Sequence, residues 1–191
     1  MEGGVLSLTP SEESAGKQFA QSATEVCRLI ENRAQWSGAA FVRRLLEVLL
    51  PLYVSATAIP AVEPGDDEDE SSRVSHEEWS ALFGALGEHL GSYAHYWEIY
   101  DPITLEPDDP VAGNLADDLA DIYRDLQDGL QSWQHWEAEK RRNALWQWRF
   151  GFESHWGAHA ADALRAVHWL LYEHHIEAAE SIDGAPPGED A

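Results

Sequence analysis

Cysteine is nearly absent from this chain, which has one, Cys27, among 191 residues. A single thiol excludes an internal disulfide framework and a cysteine zinc cluster. Cys27 lies in the helical pattern ATEVCRLIE, where a small buried hydrophobic residue is a commoner role than a nucleophile. Because disulfides are typical of oxidising compartments, this cysteine usage favours a reducing one.

Basic residues are also scarce, with 12 Lys and Arg against 35 Asp and Glu, for a formal net charge of −23. Such a charge repels nucleic-acid phosphates and anionic lipid surfaces. The one basic triplet, Lys140 to Arg142, lacks the interleaved aromatics and the motif of a nucleic-acid reader. We therefore predict no nucleic-acid and no membrane partner, and any protein partner should offer a basic or apolar surface.

Targeting and catalytic signatures are missing as well. The segment MEGGVLSLTPSEES has no signal-peptide pattern, and no apolar run approaches the roughly 18 residues of a membrane span. Phosphate-cradling glycine loops, nucleophile elbows, dinucleotide fingerprints and internal repeats do not occur. The sequence predicts a cytoplasmic protein and leaves open whether it is an enzyme.

What the chain does contain is strong helical patterning. Capping boxes at Thr9 to Glu12 and at Ser75 to Glu78 predict two helix starts. The clearest apolar stripe steps by three or four residues through Leu115, Leu119, Ile122, Leu126, Leu130 and Trp133. We predict an all-α fold: a single-domain helical bundle of about five main helices with a disordered acidic loop.

The predicted helices follow one another along the chain, with Pro51 expected to kink or end the second. They run from Thr9 to about Arg33, from Ser37, from Ser75 toward GSYAHYW, from Val111 or Asn114 to Gln134, and from about Ala138 to about Ala179. Asp101-Pro102 and Asp109-Pro110 indicate a turn-rich connection before the fourth helix. The predicted domains are a flexible N-terminus (1–8), the bundle (9–180, with the acidic loop at about 60–74) and a flexible acidic tail (181–191).

Acidic residues are patterned on the predicted fourth helix. At 100° per residue, one sector of about 100° away from the leucine stripe holds Asp117, Asp118, Asp121, Asp125 and Asp128. Like charges at this spacing repel by a few tenths of a kcal/mol per pair. The sector is either a solvated face, pointing outward unless another helix covers it, or a surface for a divalent cation or a cationic partner.

Histidines are concentrated in FESHWGAHAADALRAVHWLLYEHH, residues 152–175. Beside its apolar face, His155, His159 and Asp162 follow at i, i+4 and i+7 and so share one helical edge, with Glu173 three turns further on. The small residues of this stretch allow close approach of a neighbouring helix. The histidines either join a structural polar network with acids or carbonyls of that helix, or they bind a metal.

Both patterned segments fit one candidate site. Consecutive helices joined by a short connection usually pack antiparallel, which would let three acids of the fourth helix face three groups of the last. The candidate metal ligands are Asp118, Asp121, Asp125, His155, His159 and Asp162. Oxygen and imidazole ligands suit a divalent ion such as Mg, Mn or Fe.

Two motifs carry a family resemblance. LADDLADIYRDL (115–126) and FESHWGAHAADALRAVH (152–168) resemble the strongest motifs of an uncharacterised bacterial family of all-helical proteins, a domain of unknown function. The resemblance extends from about Phe19 to His174. It implies a compact helical bundle and a bacterial origin, and it supplies no activity, cofactor or catalytic residue.

Three functions stay open on this sequence. The first is a binding or accessory protein that presents an acidic, aromatic-rich helical surface, with exposed tryptophans such as Trp133, Trp136 or Trp146. The alternative is a metal-dependent hydrolase or oxidase with its carboxylate and histidine site between the fourth and last helices. The third is metal-free acid-base catalysis by His155 or His159, for which no nucleophile or oxyanion arrangement is visible.

Overall fold

A computed structural model describes residues 7–64, 74–99, 103 and 109–178. The helices are α1 (Pro10–Glu31), α2 (Gly38–Ala56), α3 (His76–Leu90), α4 (Leu115–Gln134), α5 (Ala138–Ser154) and α6 (Trp156–His168), and the strands are β1 (His95–Glu98) and β2 (Val111–Asn114). The mostly helical architecture confirms the helical prediction. The predictions for the acidic loop at 65–73, for Asp101-Pro102 and for the tail at 181–191 lie outside the described residues, as does that for the N-terminus at 1–6.

Local sequence signals set the helix starts. The Thr9 hydroxyl accepts from the Glu12 amide and the Glu12 carboxylate accepts from the Thr9 amide, and Ser75 and Glu78 repeat the arrangement at α3. These are the two predicted capping boxes. Pro51 does not end α2, which continues to Ala56. In the part of the chain that the structure describes, no helix has the length and apolar character to cross a membrane.

Helix α4 has a central position, because α1, α3, α5 and α6 all pack against it. Every residue of its predicted apolar stripe is buried. Phe19, Trp148 and Trp156 complete the core, with the Phe19 and Trp148 rings 4.8 Å apart. Cys27 is buried too, and this burial raises the pKa of its thiol, as expected for a packing residue.

The prediction of one long final helix is wrong. The chain breaks at His155, whose φ of −149° and ψ of −88° are not helical, and α6 begins at the next residue. Gly157 permits this break, because a Cβ there would overlap the carbonyl oxygen of Phe152. A π-helical turn at Trp169–Glu173 then follows α6. The described residues therefore form six α-helices where about five main helices were predicted, and His155 lies at the junction between α5 and α6.

A small sheet that the sequence did not predict is formed by the strands on either side of the turn-rich connection. β1 pairs antiparallel with β2, with Tyr96 opposite Gly113 and Trp97 opposite Ala112. Val111 is thus in a strand, and α4 begins where the Asn114 side chain accepts from the Ala116 amide. A Cβ at Gly113 would overlap the Tyr96 ring, so this glycine lets Tyr96 lie against β2.

Close approach of α4 and α5 at Gly129 gives a stability prediction. A Cβ at Gly129 would overlap the indole nitrogen of the buried Trp148. Gly129→Ala should therefore destabilise the fold by about 1–3 kcal/mol through overpacking, although alanine favours a helix by about 1 kcal/mol. Urea unfolding followed by circular dichroism measures the change.

Gly84 is the matched control, because it lies inside α3, is exposed and has nothing within 4 Å of an added Cβ. Gly84→Ala should stabilise the protein by about 0.5–1 kcal/mol. Equal effects of the two substitutions would contradict the close packing at Gly129.

Candidate metal centre

Three potential metal ligands converge between α4 and α6. Asp121 Oδ2 lies 3.5 Å from His159 Nε2 and 4.0 Å from His155 Nε2, and the ligand atoms of the three residues lie within 4.8 Å of one another. Two ligands of a tetrahedral site are about 3.4 Å apart when the metal bonds are about 2.1 Å long. His159 and Asp121 already lie at about that distance, whereas the widest pair of the group would have to close by up to about 1.4 Å for all three to bind one ion.

Two carboxylates of α4 orient the imidazoles. His155 Nδ1 is 2.7 Å from Asp125 Oδ2, and His159 Nδ1 is 2.9 Å from Asp118 Oδ1. Since an ionised carboxylate only accepts, each Nδ1 carries a proton and donates it. In this tautomer the Nε2 lone pair of each ring is left to face Asp121. Metal-binding histidines are commonly fixed in this way by a carboxylate on the other ring nitrogen.

The two oxygens of Asp121 have different surroundings. Oδ1 accepts from the Trp79 indole at 2.9 Å and lies 2.7 Å from the Arg124 guanidinium. Oδ2 is the atom that faces the histidines. The carboxylate is thus held by one oxygen and presents the other, which is the geometry of a monodentate ligand.

Asp118 is held from both sides. Its Oδ2 accepts from the Tyr96 hydroxyl at 2.6 Å, while its Oδ1 meets His159. Burial raises the pKa of Asp118, and the bonds from His159 and Tyr96 oppose that rise. The bond to Asp118 raises the pKa of His159 against the effect of burial. Burial and then Asp118 raise the pKa of Tyr96, which keeps the phenol protonated as a donor.

The acidic face of α4 was expected to point outward unless another helix covers it, and two of its members are covered. Asp118 is 4% and Asp121 8% exposed, because α6 and Trp79 of α3 cover them. Asp125 and Asp128 are half-buried. Asp117 is half-buried as well, and its pKa is raised by burial and then by Asp121. The histidines do bond acids of the facing helix, as the polar-network interpretation predicts, and the same bonds direct their Nε2 atoms to Asp121.

Some predicted residues stay apart, and others were missed. Asp162 lies 3.8 Å from Arg165 and is not in the three-residue group, and Glu173 is exposed in the π-helical turn. The sequence analysis missed Trp79 and Tyr96, which reach the site from α3 and β1 with no sequence spacing to reveal them. Arg124 was also missed, although its i+3 spacing from Asp121 is a usable signal.

A cavity of about 570 Å³ lies over the site. Its polar lining includes His155 and His159 together with the carboxylates of Glu98, Asp117, Asp118 and Asp162. Sites for small molecules typically have this size. The two histidines, though not the buried Asp121, therefore line a space that can admit a substrate.

The tryptophans proposed as exposed are in different environments. Trp133 is buried, so that expectation is wrong. Trp146 is half-buried and stacks on Phe150, with ring centroids 5.1 Å apart. Trp136, in contrast, is 85% exposed.

Comparison with known proteins supports the family resemblance. Residues 11–173 match the model of a domain of unknown function, DUF5063. The crystal structure of protein BF1032 from Bacteroides fragilis, a structural-genomics target, is 28% identical, with a TM-score of 0.71 over 82% of this chain and 91% of that one. A comparison with curated proteins gave no match.

The bond between His159 and Asp118 predicts a titration. In metal-free protein the pKa of His159 should lie above its ordinary 6.5, and Asp118→Asn should lower it, because the amide removes the negative charge. The contribution of His159 to the free energy of unfolding should be fully present below pH 6.5, the ordinary pKa of histidine. It should be lost as the pH rises through the raised pKa of His159 in the folded protein. Imidazole chemical shifts measured against pH by NMR test this, and an unchanged His159 pKa in Asp118→Asn would contradict it.

Proposed function

This chain belongs to the DUF5063 family, a domain of unknown function, and we propose that it binds one divalent transition metal through Asp121, His155 and His159 and uses it for hydrolysis or oxidation. The observation that carries the proposal is the orientation of the two imidazoles. Each is held at Nδ1 by its own carboxylate and presents Nε2 to the same oxygen of Asp121.

The ligand number favours a catalytic over a structural site. Structural zinc sites are closed by four protein ligands, whereas catalytic sites use three and keep a position for water or substrate. Two histidines and one carboxylate also form the ligand set of non-haem iron oxygenases. This donor set fits Zn, Mn or Fe, and the half-exposed histidines leave access from the cavity.

The residues around the proposed metal would have different roles in the reaction. A bound divalent ion acidifies a coordinated water and polarises a substrate oxygen. Asp118 and Asp125 keep the histidines in the metal-binding tautomer. Asp117 lines the same cavity and its pKa is raised, so it is placed to exchange a proton with a substrate. The acidic lining favours neutral or cationic substrates over phosphate esters.

Metal titration tests the site directly. Chelator-treated protein should take up about one Zn²⁺, Mn²⁺ or Fe²⁺ per chain, measured by elemental analysis and calorimetry, and His155→Ala plus His159→Ala should abolish uptake. His135→Ala plus His168→Ala is the matched control, since it removes two exposed histidines outside the site. Equal uptake by both double variants would refute the site, as would metal-free protein that takes up no ion.

Metal affinity also tests the role of the carboxylates that hold the histidines. Asp125→Asn should weaken metal binding by about 10–100-fold, the usual effect of losing such a partner. Asp128→Asn, less than one turn further along α4, should leave the affinity unchanged. Circular dichroism confirms that each variant is folded.

A protein partner is the second candidate function, favoured by the exposed Trp136. Together with the stacked Trp146 and Phe150, it adds aromatic surface to a protein of net charge −23, which suits a basic or apolar partner. Aromatic anchors commonly dominate such interfaces.

This candidate predicts that Trp136→Ser plus Phe150→Ser loses a partner that wild type retains in cross-linking and capture. His155→Ala plus His159→Ala should keep that partner. Retention of the partner by a folded Trp136→Ser plus Phe150→Ser variant would reject the aromatic surface, and loss in the histidine variant alone would assign the partner to the proposed metal centre.

A further inference from the structure

A second cavity, of about 490 Å³, lies beside β1 and the C-terminal part of α6. Its lining comprises Tyr93, His95, Tyr96, Trp97, Arg165, Ala166, Trp169, Leu170 and His174. None of these residues is acidic, and three carry basic groups. The chain as a whole has nearly three acidic residues for each basic one, so a lining without acidic residues is unusual for it. Such a lining favours the binding of anions over cations.

Arg165 is the fixed charge of this cavity. Its Nη2 donates to the Trp97 carbonyl at 3.1 Å and lies 3.8 Å from Asp162. The guanidinium carbon lies 5.8 Å from the centroid of the Tyr96 ring. Among the described residues both polar contacts are made by Nη2, so Nη1 and Nε are each left to donate one charge-assisted hydrogen bond to a carboxylate.

The remaining walls are largely aromatic. Trp97 is 72% and Trp169 53% exposed, and both line the cavity with Tyr93 and Tyr96. Flat aromatic side chains favour flat ligands by offset or edge-to-face stacking. Leu170 and Ala166 continue the apolar surface. The chemistry of the cavity is therefore an aromatic slot with one guanidinium.

We propose that this cavity binds a small planar aromatic molecule that carries a carboxylate, with the ring among Trp97, Trp169 and Tyr93 and the carboxylate on Arg165. His95 and His174 add positive charge when protonated. The site goes beyond the proposed metal function, because its lining includes none of the three candidate metal ligands. It can accordingly exist whether or not the metal centre does.

The test uses 2-naphthoate and its neutral amide, 2-naphthamide, with full-length protein in excess chelator. The chelator prevents the carboxylate from binding through a metal. Ligand-observed NMR and calorimetry should show 2-naphthoate binding at one site per chain, at least about tenfold more tightly than the amide, since a charged hydrogen bond contributes about 1.5–3 kcal/mol.

Variants locate the binding. Arg165→Gln should weaken 2-naphthoate binding about tenfold or more and leave the amide nearly unchanged. Arg44→Gln is the matched control, because the Arg44 and Arg165 side chains are equally exposed, at 45%, and each has an acidic partner three residues away. Trp169→Ala should weaken both ligands and, at an exposed position, spares the core.

The outcomes separate clearly. Equal affinity for acid and amide, an unchanged Arg165→Gln variant, or no binding up to millimolar ligand would each overturn the proposal. A loss in Arg44→Gln equal to that in Arg165→Gln would place the ligand elsewhere. If Arg165→Gln proves unfolded by circular dichroism, Trp169→Ala and the acid-to-amide ratio in wild type still decide it.

Discussion

Burial of two carboxylates on one helix is the constraint on which the rest of this structure depends. Asp118 and Asp121 lie almost fully within the bundle, and a buried charge costs several kcal/mol unless it is paired and hydrogen-bonded. Their partners come from three other elements: Tyr96 of β1, Trp79 of α3 and His159 of α6. The hydrogen bonds that compensate the burial of these two carboxylates thus also fix the positions of β1, α3 and α6 around α4.

The antiparallel arrangement of α4 and α6 determines which acid meets which histidine. His155, at the N-terminal end, meets Asp125, and His159, further along, meets Asp118. Asp118 and Asp125 are seven residues apart, a rise of about 10.5 Å along α4, whereas four helical residues between His155 and His159 would give a rise of only about 6 Å. With α6 regular through His155, the two hydrogen bonds could therefore not both form unless the histidines were further apart. The break at His155 allows that greater separation. Asp121, between the two acids, then faces both rings.

Much of this could be predicted from the sequence, and what could not has physical reasons. The capping boxes and the stripe from Leu115 to Trp133 are local signals, and they gave the correct helix starts and core face. The pairing of α4 acids with His155 and His159 followed from antiparallel packing. The break before α6 depends on a close approach of Gly157 to the Phe152 carbonyl, and Trp79 and Tyr96 reach the site only through tertiary packing. Helical periodicity, which reports only which residues share a face of one helix, predicts neither the break before α6 nor the position of Trp79 and Tyr96.

The charges around Asp121 mean that the proposed metal ion would stabilise the fold as well as supply chemistry. Asp117, Asp118, Asp121 and Asp125 occupy two turns of α4 and repel one another. Among the described residues, Arg124 and the two histidines lie against these acids and offset the repulsion. A divalent ion bound by Asp121 and the two Nε2 atoms would add a fixed positive charge beside these acids. An ion that binds only the folded state stabilises that state by mass action. The carboxylates whose repulsion destabilises the metal-free protein would therefore be the groups through which metal binding is coupled to folding.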